Sequence, residues 1–171
     1  MSCGAPLVPT RVSQAIEERR RADKRAEELE FELARLVADG FMNEMKRSEI
    51  TPFVKHYHRV DDPSRALAFL QSIATAFIAC ASSLAEATGH AQPYTIVFTS
   101  SPPEKRSTSV TTVLVLGSDD GRAKAVGEAL KAQLGVKGGG RGERWSGKWI
   151  GVWREAKEGA TVGEILKTTI N

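Results

Sequence analysis

Gly135-Val-Lys-Gly-Gly-Gly-Arg-Gly-Glu-Arg-Trp-Ser-Gly-Lys-Trp149 is the stretch on which the reading of this 171-residue chain turns. Six of its fifteen residues are glycine, and Lys137, Arg141, Arg144 and Lys148 are set among them. Such a run predicts neither a helix interior nor a well-packed strand. It reads as a loop whose bare backbone lets a ligand come close. The cations set the sign of that ligand: an anion, with phosphate the simplest choice. Lys137, Gly138, Gly139, Gly140, Arg141, Arg144, Trp145, Lys148 and Trp149 are therefore the candidate binding residues. The glycines would offer N–H groups, the cations would meet phosphates, and Trp145 or Trp149 would stack on a base. From 137 to 154 there are five basic residues against Glu143 alone. That local surplus of four exceeds the +3 of the whole chain, so positive charge is concentrated here.

Within the stretch, Gly142-Glu-Arg-Trp-Ser-Gly-Lys148 matches the spacing of a nucleotide-binding P-loop. The match fails at Trp149, where serine or threonine should hold magnesium, and no helix is expected to follow. An NTPase is excluded on those grounds.

Outward from the loop, the elements alternate. Residues 121–134 read as a helix capped by Ser118 or Asp119, and 109–116 and 94–99 as two strands of an antiparallel hairpin. Asp61-Asp62-Pro63 starts a helix that Gly89 ends, and 53–60 reads as a strand. Downstream, 148–154 reads as a strand, with Ile150 and Val152 on its core side. A last helix over 161–169 is expected, with Thr161 as its cap. Residues 11–46 read as one long helix. Val12, Ala15, Ala22, Ala26, Leu29, Leu33 and Leu36 recur on alternating three- and four-residue steps, interrupted by Arg19. That is a coiled-coil-like seam, expected to pair with a second copy or to dock on another surface. The fold class is thus α/β: a mixed sheet in the order β-α-β-β-α-β-α, behind a helical arm. The arm is assigned to residues 1–47 and the α/β domain to 48–171.

Cys3 and Cys80 are the only cysteines, too few for a disulfide framework. Residues 1–10 lack a basic start followed by an apolar core, and no apolar run reads as a membrane span, so the cytoplasm is the expected compartment. His56 and His58 share one face of their strand, but spacing fixes no third ligand, so no metal site is assigned. Asp119 and Asp120 read as cap and turn rather than as catalytic acids.

Val113-Leu-Val-Leu-Gly-Ser-Asp119, a helix, and Leu134-Gly-Val-Lys-Gly-Gly-Gly-Arg141 together resemble the DHH-associated domain. That domain closes alanyl-tRNA synthetase, its AlaX editing relatives and the DHH phosphoesterases. Lys137-Gly-Gly-Gly-Arg141 is similar to the synthetase-type pattern. The phosphoesterase type usually has histidine where Arg141 stands. Gly142 departs from the family's usual proline, and 144–149 departs from its small-residue run. The resemblance implies a tRNA-binding or structured-RNA-binding module, with a possible homodimer through the long helix. It implies no catalytic residue, metal or cofactor within these residues, since the editing family's His-x-x-x-His motif is not among them. Two alternatives stand beside it: the substrate-binding half of a DHH-type phosphoesterase, and a purely structural dimerisation module.

Overall fold

Asp62 and Pro63 set the direction of the helix around which the sheet forms. The Asp62 carboxylate accepts from the Ser64 amide at 2.8 Å, and Pro63 occupies the first turn, where its missing N–H is not needed. In the computed structural model, residues 7–169 are described; Cys3 lies outside them. A 41-residue helix, α1 (Leu7–Arg47), leads into β1 (Phe53–Val60) and then α2 (Pro63–Thr88). Strands β2 (Tyr94–Ser101) and β3 (Val110–Gly117) follow, then α3 (Asp120–Leu134), β4 (Lys137–Arg141) and β5 (Arg144–Ile150). A single π-helical turn (Glu155–Gly159) leads into α4 (Ala160–Thr169).

The five strands form one mixed sheet in the order β1-β2-β3-β5-β4. Only β1 and β2 run parallel, as a crossover through α2 demands; the remaining pairs are antiparallel. Gly89 (φ 71°) and Gly135 (φ 68°) end α2 and α3 in the left-handed conformation, and Asp119 caps α3 through the Arg122 amide at 2.9 Å.

Helices cover both faces of the sheet. On one face α2 presents Phe69, Leu70, Ile73 and Phe77 to Ile96, Phe98, Leu114 and Leu116. The C-terminal part of α1 completes this core with Ala34, Ala38, Phe41, Met42 and Met45. On the other face α3 and α4 pack Val126, Leu130, Val162, Ile165 and Leu166 on Val97, Val113, Val115 and Trp145. By length and composition α2 is apolar enough to cross a membrane, contrary to the sequence reading, but its apolar face is packed against the sheet and α1.

The structure departs from four local expectations. The glycine run is not a loop: Lys137–Arg141 is an edge strand, and Gly142 (φ 65°) turns the chain back into β5. The last strand therefore begins at Arg144 and stops at Ile150, instead of running from 148 to 154. Its faces are also reversed, since Trp145 is 2% exposed and Ile150 is 62% exposed. Finally, Thr161 does not cap α4. The preceding π turn feeds directly into the helix, and the Thr161 hydroxyl bonds back to the Lys157 carbonyl.

Trp145 owes its place to Gly127. A Cβ at Gly127 would lie 2.6 Å from three atoms of the indole, so α3 meets β5 through bare backbone. Replacing a helix-interior glycine by alanine ordinarily gains about 1 kcal/mol. Here Gly127→Ala is expected to destabilise the chain by about 1–3 kcal/mol through overpacking, read as a lower urea midpoint. A stabilised variant would contradict this packing.

Candidate anion-binding face on the β4–β5 hairpin

Strand register decides where the cations point. Lys137 is opposite Lys148, Gly139 opposite Ser146, and Arg141 opposite Arg144. Directly opposed residues share a face of a sheet, so all four cations lie on the α2 side of the hairpin. On this side α2 lies over β2 and β3. The hairpin extends past it, leaving Lys137, Arg141 and Lys148 exposed and Arg144 half-buried. Arg144 Nη2 donates to Thr75 Oγ1 of α2 at 3.1 Å, which anchors the inner end of the patch.

Like charges facing across two strands repel. Here this happens twice in five residue pairs, at Lys137/Lys148 and Arg141/Arg144. Among the described residues no carboxylate forms an ion pair with any of the four, whereas Arg59, Arg106, Arg122 and Arg154 each have one. Arg154, counted with the basic cluster from sequence, is held by Glu158 at 3.2 Å and lies beyond the hairpin. The arrangement is an open cationic face whose internal repulsion an anion would relieve.

The three consecutive glycines have different reasons to be glycine. At Gly138 a Cβ would collide with the Ser146 carbonyl oxygen and Gly147 Cα, and at Gly140 with the Arg144 carbonyl oxygen and Trp145 Cα. Close approach of β4 to β5 accounts for both. Gly139 has open space where its Cβ would stand. It is the glycine that leaves room for a ligand between the two charge pairs. As the edge strand, β4 also has backbone N–H groups that no neighbouring strand uses.

The tryptophans divide as well. Trp145 is enclosed beneath α3 and is not placed to stack on a base, contrary to the sequence expectation. Trp149 is half-buried and meets Trp153 edge to face at 6.1 Å on the α4 side. Neither lies on the face that carries the cations.

A second polar cluster was only partly legible. His56 Nε2 and His58 Nδ1 both meet the buried Thr99 hydroxyl, at 3.0 and 2.9 Å. His58 stacks on Trp153 at 4.8 Å with an interplanar angle of 9°. The Trp153 indole N–H donates to Glu155, whose other carboxylate oxygen is 3.8 Å from His56 Nδ1. The shared strand face of the two histidines was readable from their spacing; the tryptophan and glutamate nearly a hundred residues away were not. Among the described residues there is no cluster of three or more metal-ligating side chains.

No protein-family model matches the chain, and no curated protein matches it in sequence.

Burial holds both imidazoles below their ordinary value of 6.5, more strongly than Glu155 raises them. A histidine whose folded pKa is depressed binds its proton more readily when unfolded. Its contribution is therefore complete above the unfolded pKa and is lost as pH falls below it. The share of stability that depends on these two histidines should be level above about pH 6.5 and decline below it. The double substitution His56→Gln with His58→Asn should flatten that decline in denaturant titrations run between pH 5 and 7. An unchanged acid slope would place its origin elsewhere.

Proposed function

We propose that this chain is a non-catalytic RNA-binding module that holds tRNA, or another structured RNA, by its phosphate backbone. The observation that carries the reading is the cationic β4–β5 face: Lys137, Arg141, Arg144 and Lys148, opposed in like-charged pairs and free of carboxylate partners among the described residues. Spaced cations along a hairpin suit a row of phosphates better than a single small anion. The open position at Gly139 lets a backbone approach, and edge amides add uncharged donors. The resemblance of 113–148 to the domain that closes alanyl-tRNA synthetase and AlaX proteins supports the same choice. On this reading the chain works in the cytoplasm, in translation, and presents tRNA to a charging or editing centre. No residue here is assigned a catalytic, metal or cofactor role. In the phosphoesterase alternative the same face would hold a small phosphate ester. The separation of the two cation pairs along the hairpin favours the extended ligand.

A second role rests on α1. Leu29, Leu33 and Leu36 remain 58%, 44% and 68% exposed, because the helix docks on α2 through a different stripe. We propose that this seam pairs two copies. Basic residues crowd 19–25 and acidic residues 27–32, so an antiparallel pair centred near Ala26 sets unlike blocks side by side.

The RNA reading is tested by filter binding of bulk tRNA over a range of salt. Affinity should fall steeply with salt, and Arg141→Ala with Arg144→Ala should lower the log–log salt slope by about two. Salt-independent binding, or binding unaffected by the double substitution, would defeat it. Sedimentation tests the second role: Leu29→Glu with Leu36→Glu should convert a dimer to a monomer, and a monomeric parent chain would rule the pairing out.

A further inference from the structure

Beside the cationic hairpin a groove of about 620 Å³ runs along the seam between α1 and α2. Arg144 belongs to both: it stands in the row of cations, and it lines the groove next to Thr75. A ligand that follows the hairpin is thus led to the groove mouth.

The groove has the composition of a slot for a planar ring. One wall comes from one side of α1, where Phe31, Arg35 and Asp39 recur every four residues. Phe31 is 57% exposed, so one of the largest apolar side chains in the protein stands in water at the rim. The floor is α2, and it is shallow because Ala68, Ala76 and Ala79 line it there. Gln71 stands among these alanines, exposed, with an amide that both donates and accepts. An aromatic face, a floor of alanines with Ser72, Thr75 and Cys80 between them, a two-way hydrogen-bonding group and two cations, Arg35 and Arg144, against the single carboxylate of Asp39, suit an unpaired nucleobase with its phosphate. Exposed Arg35 and half-buried Arg144, the latter continuous with the phosphate-binding face, are poorly suited to an amphipathic peptide helix burying its apolar stripe.

We infer that the α1–α2 groove takes an unpaired base of the RNA, stacked on Phe31, while the hairpin holds the adjoining phosphates. This inference rests on the RNA-binding reading and adds to it the class of RNA preferred: a structured RNA with a single-stranded end or bulge. The duplex part meets the hairpin, and the free base enters the groove.

The experiment compares two RNA hairpins of identical stem, one blunt and one with a short single-stranded 3′ tail carrying 2-aminopurine. The tailed RNA should bind about tenfold more tightly, in line with one stacked base, and its 2-aminopurine fluorescence should be quenched on binding. Phe31→Ala should remove both the gain and the quenching while leaving affinity for the blunt hairpin unchanged. Gln71→Ala should reduce the gain. Because both residues are exposed, neither variant is expected to disturb folding. Equal affinity for the two RNAs, or a loss with Phe31→Ala that is the same for both, overturns the groove assignment and leaves the hairpin reading standing. Failure of both RNAs to bind at low salt overturns both.

Discussion

Trp145 is wedged between the β5 backbone and the bare backbone of α3 at Gly127, and the placement of the hairpin depends on it. The indole is buried with Val126, Leu130 and Val136 around it. Burying its area is worth on the order of 4–6 kcal/mol, less about 1–3 kcal/mol for an indole N–H that is buried without a hydrogen-bond partner. That single side chain holds the first half of β5 against the helix layer. Because residues alternate across a strand, burying Trp145 on the α3 side forces Arg144, Ser146 and Lys148 to the α2 side. Beta4 then follows β5 at a distance only glycine tolerates, at Gly138 and Gly140. Gly147 is held to the same rule, because a Cβ there would lie 2.8 Å from both Trp145 and Val136. The cations are thus gathered on one face by a hydrophobic requirement on the other.

How much of this was legible follows from which signals are local. Helix starts and stops depend on short-range hydrogen bonds and backbone conformation, so Asp62-Pro63 and Gly89 could be read directly, and Asp119 as one of two candidate caps. The apolar strands β2 and β3 announce themselves through branched residues. The glycine run misleads because its low strand propensity argues against a strand. Pairing with β5 overrode propensity, and the sparse side chains are what permit the close pairing. The tryptophan face was misassigned for a related reason. Ile150 and Val152 look like core residues by type, but the large indoles had the greater area to bury, and the strand ends before Val152 is reached. No local pattern signals that α1 docks through Ala34, Ala38, Phe41, Met42 and Met45 while leaving Leu29, Leu33 and Leu36 in water; that depends on where α2 lies.

The candidate site was legible in composition and not in arrangement. Sequence identified Lys137, Arg141, Arg144 and Lys148 as a set. It did not show that they form two opposed pairs, that Arg154 is neutralised by Glu158, or that Trp145 is out of reach. The structure shifts the emphasis from glycine amides and tryptophan stacking to a cationic sheet face with one open position at Gly139. It also brings that face next to the groove of α1 and α2, whose Phe31 lies more than a hundred residues earlier in the chain. The fold itself explains the juxtaposition: α2 lies over β2 and β3, and Arg144, at the inner end of the uncovered hairpin, lines the groove between α1 and α2.

The central claim is that RNA is held on the β4–β5 face, and amide hydrogen exchange locates that contact directly. The chain should be compared alone and with excess tRNA at low salt. As an exposed edge strand, β4 should exchange readily when free. Binding should slow exchange across residues 137–141, together with 144–148. If tRNA binds while these amides exchange at their free rate and protection falls elsewhere on the chain, the claim is contradicted.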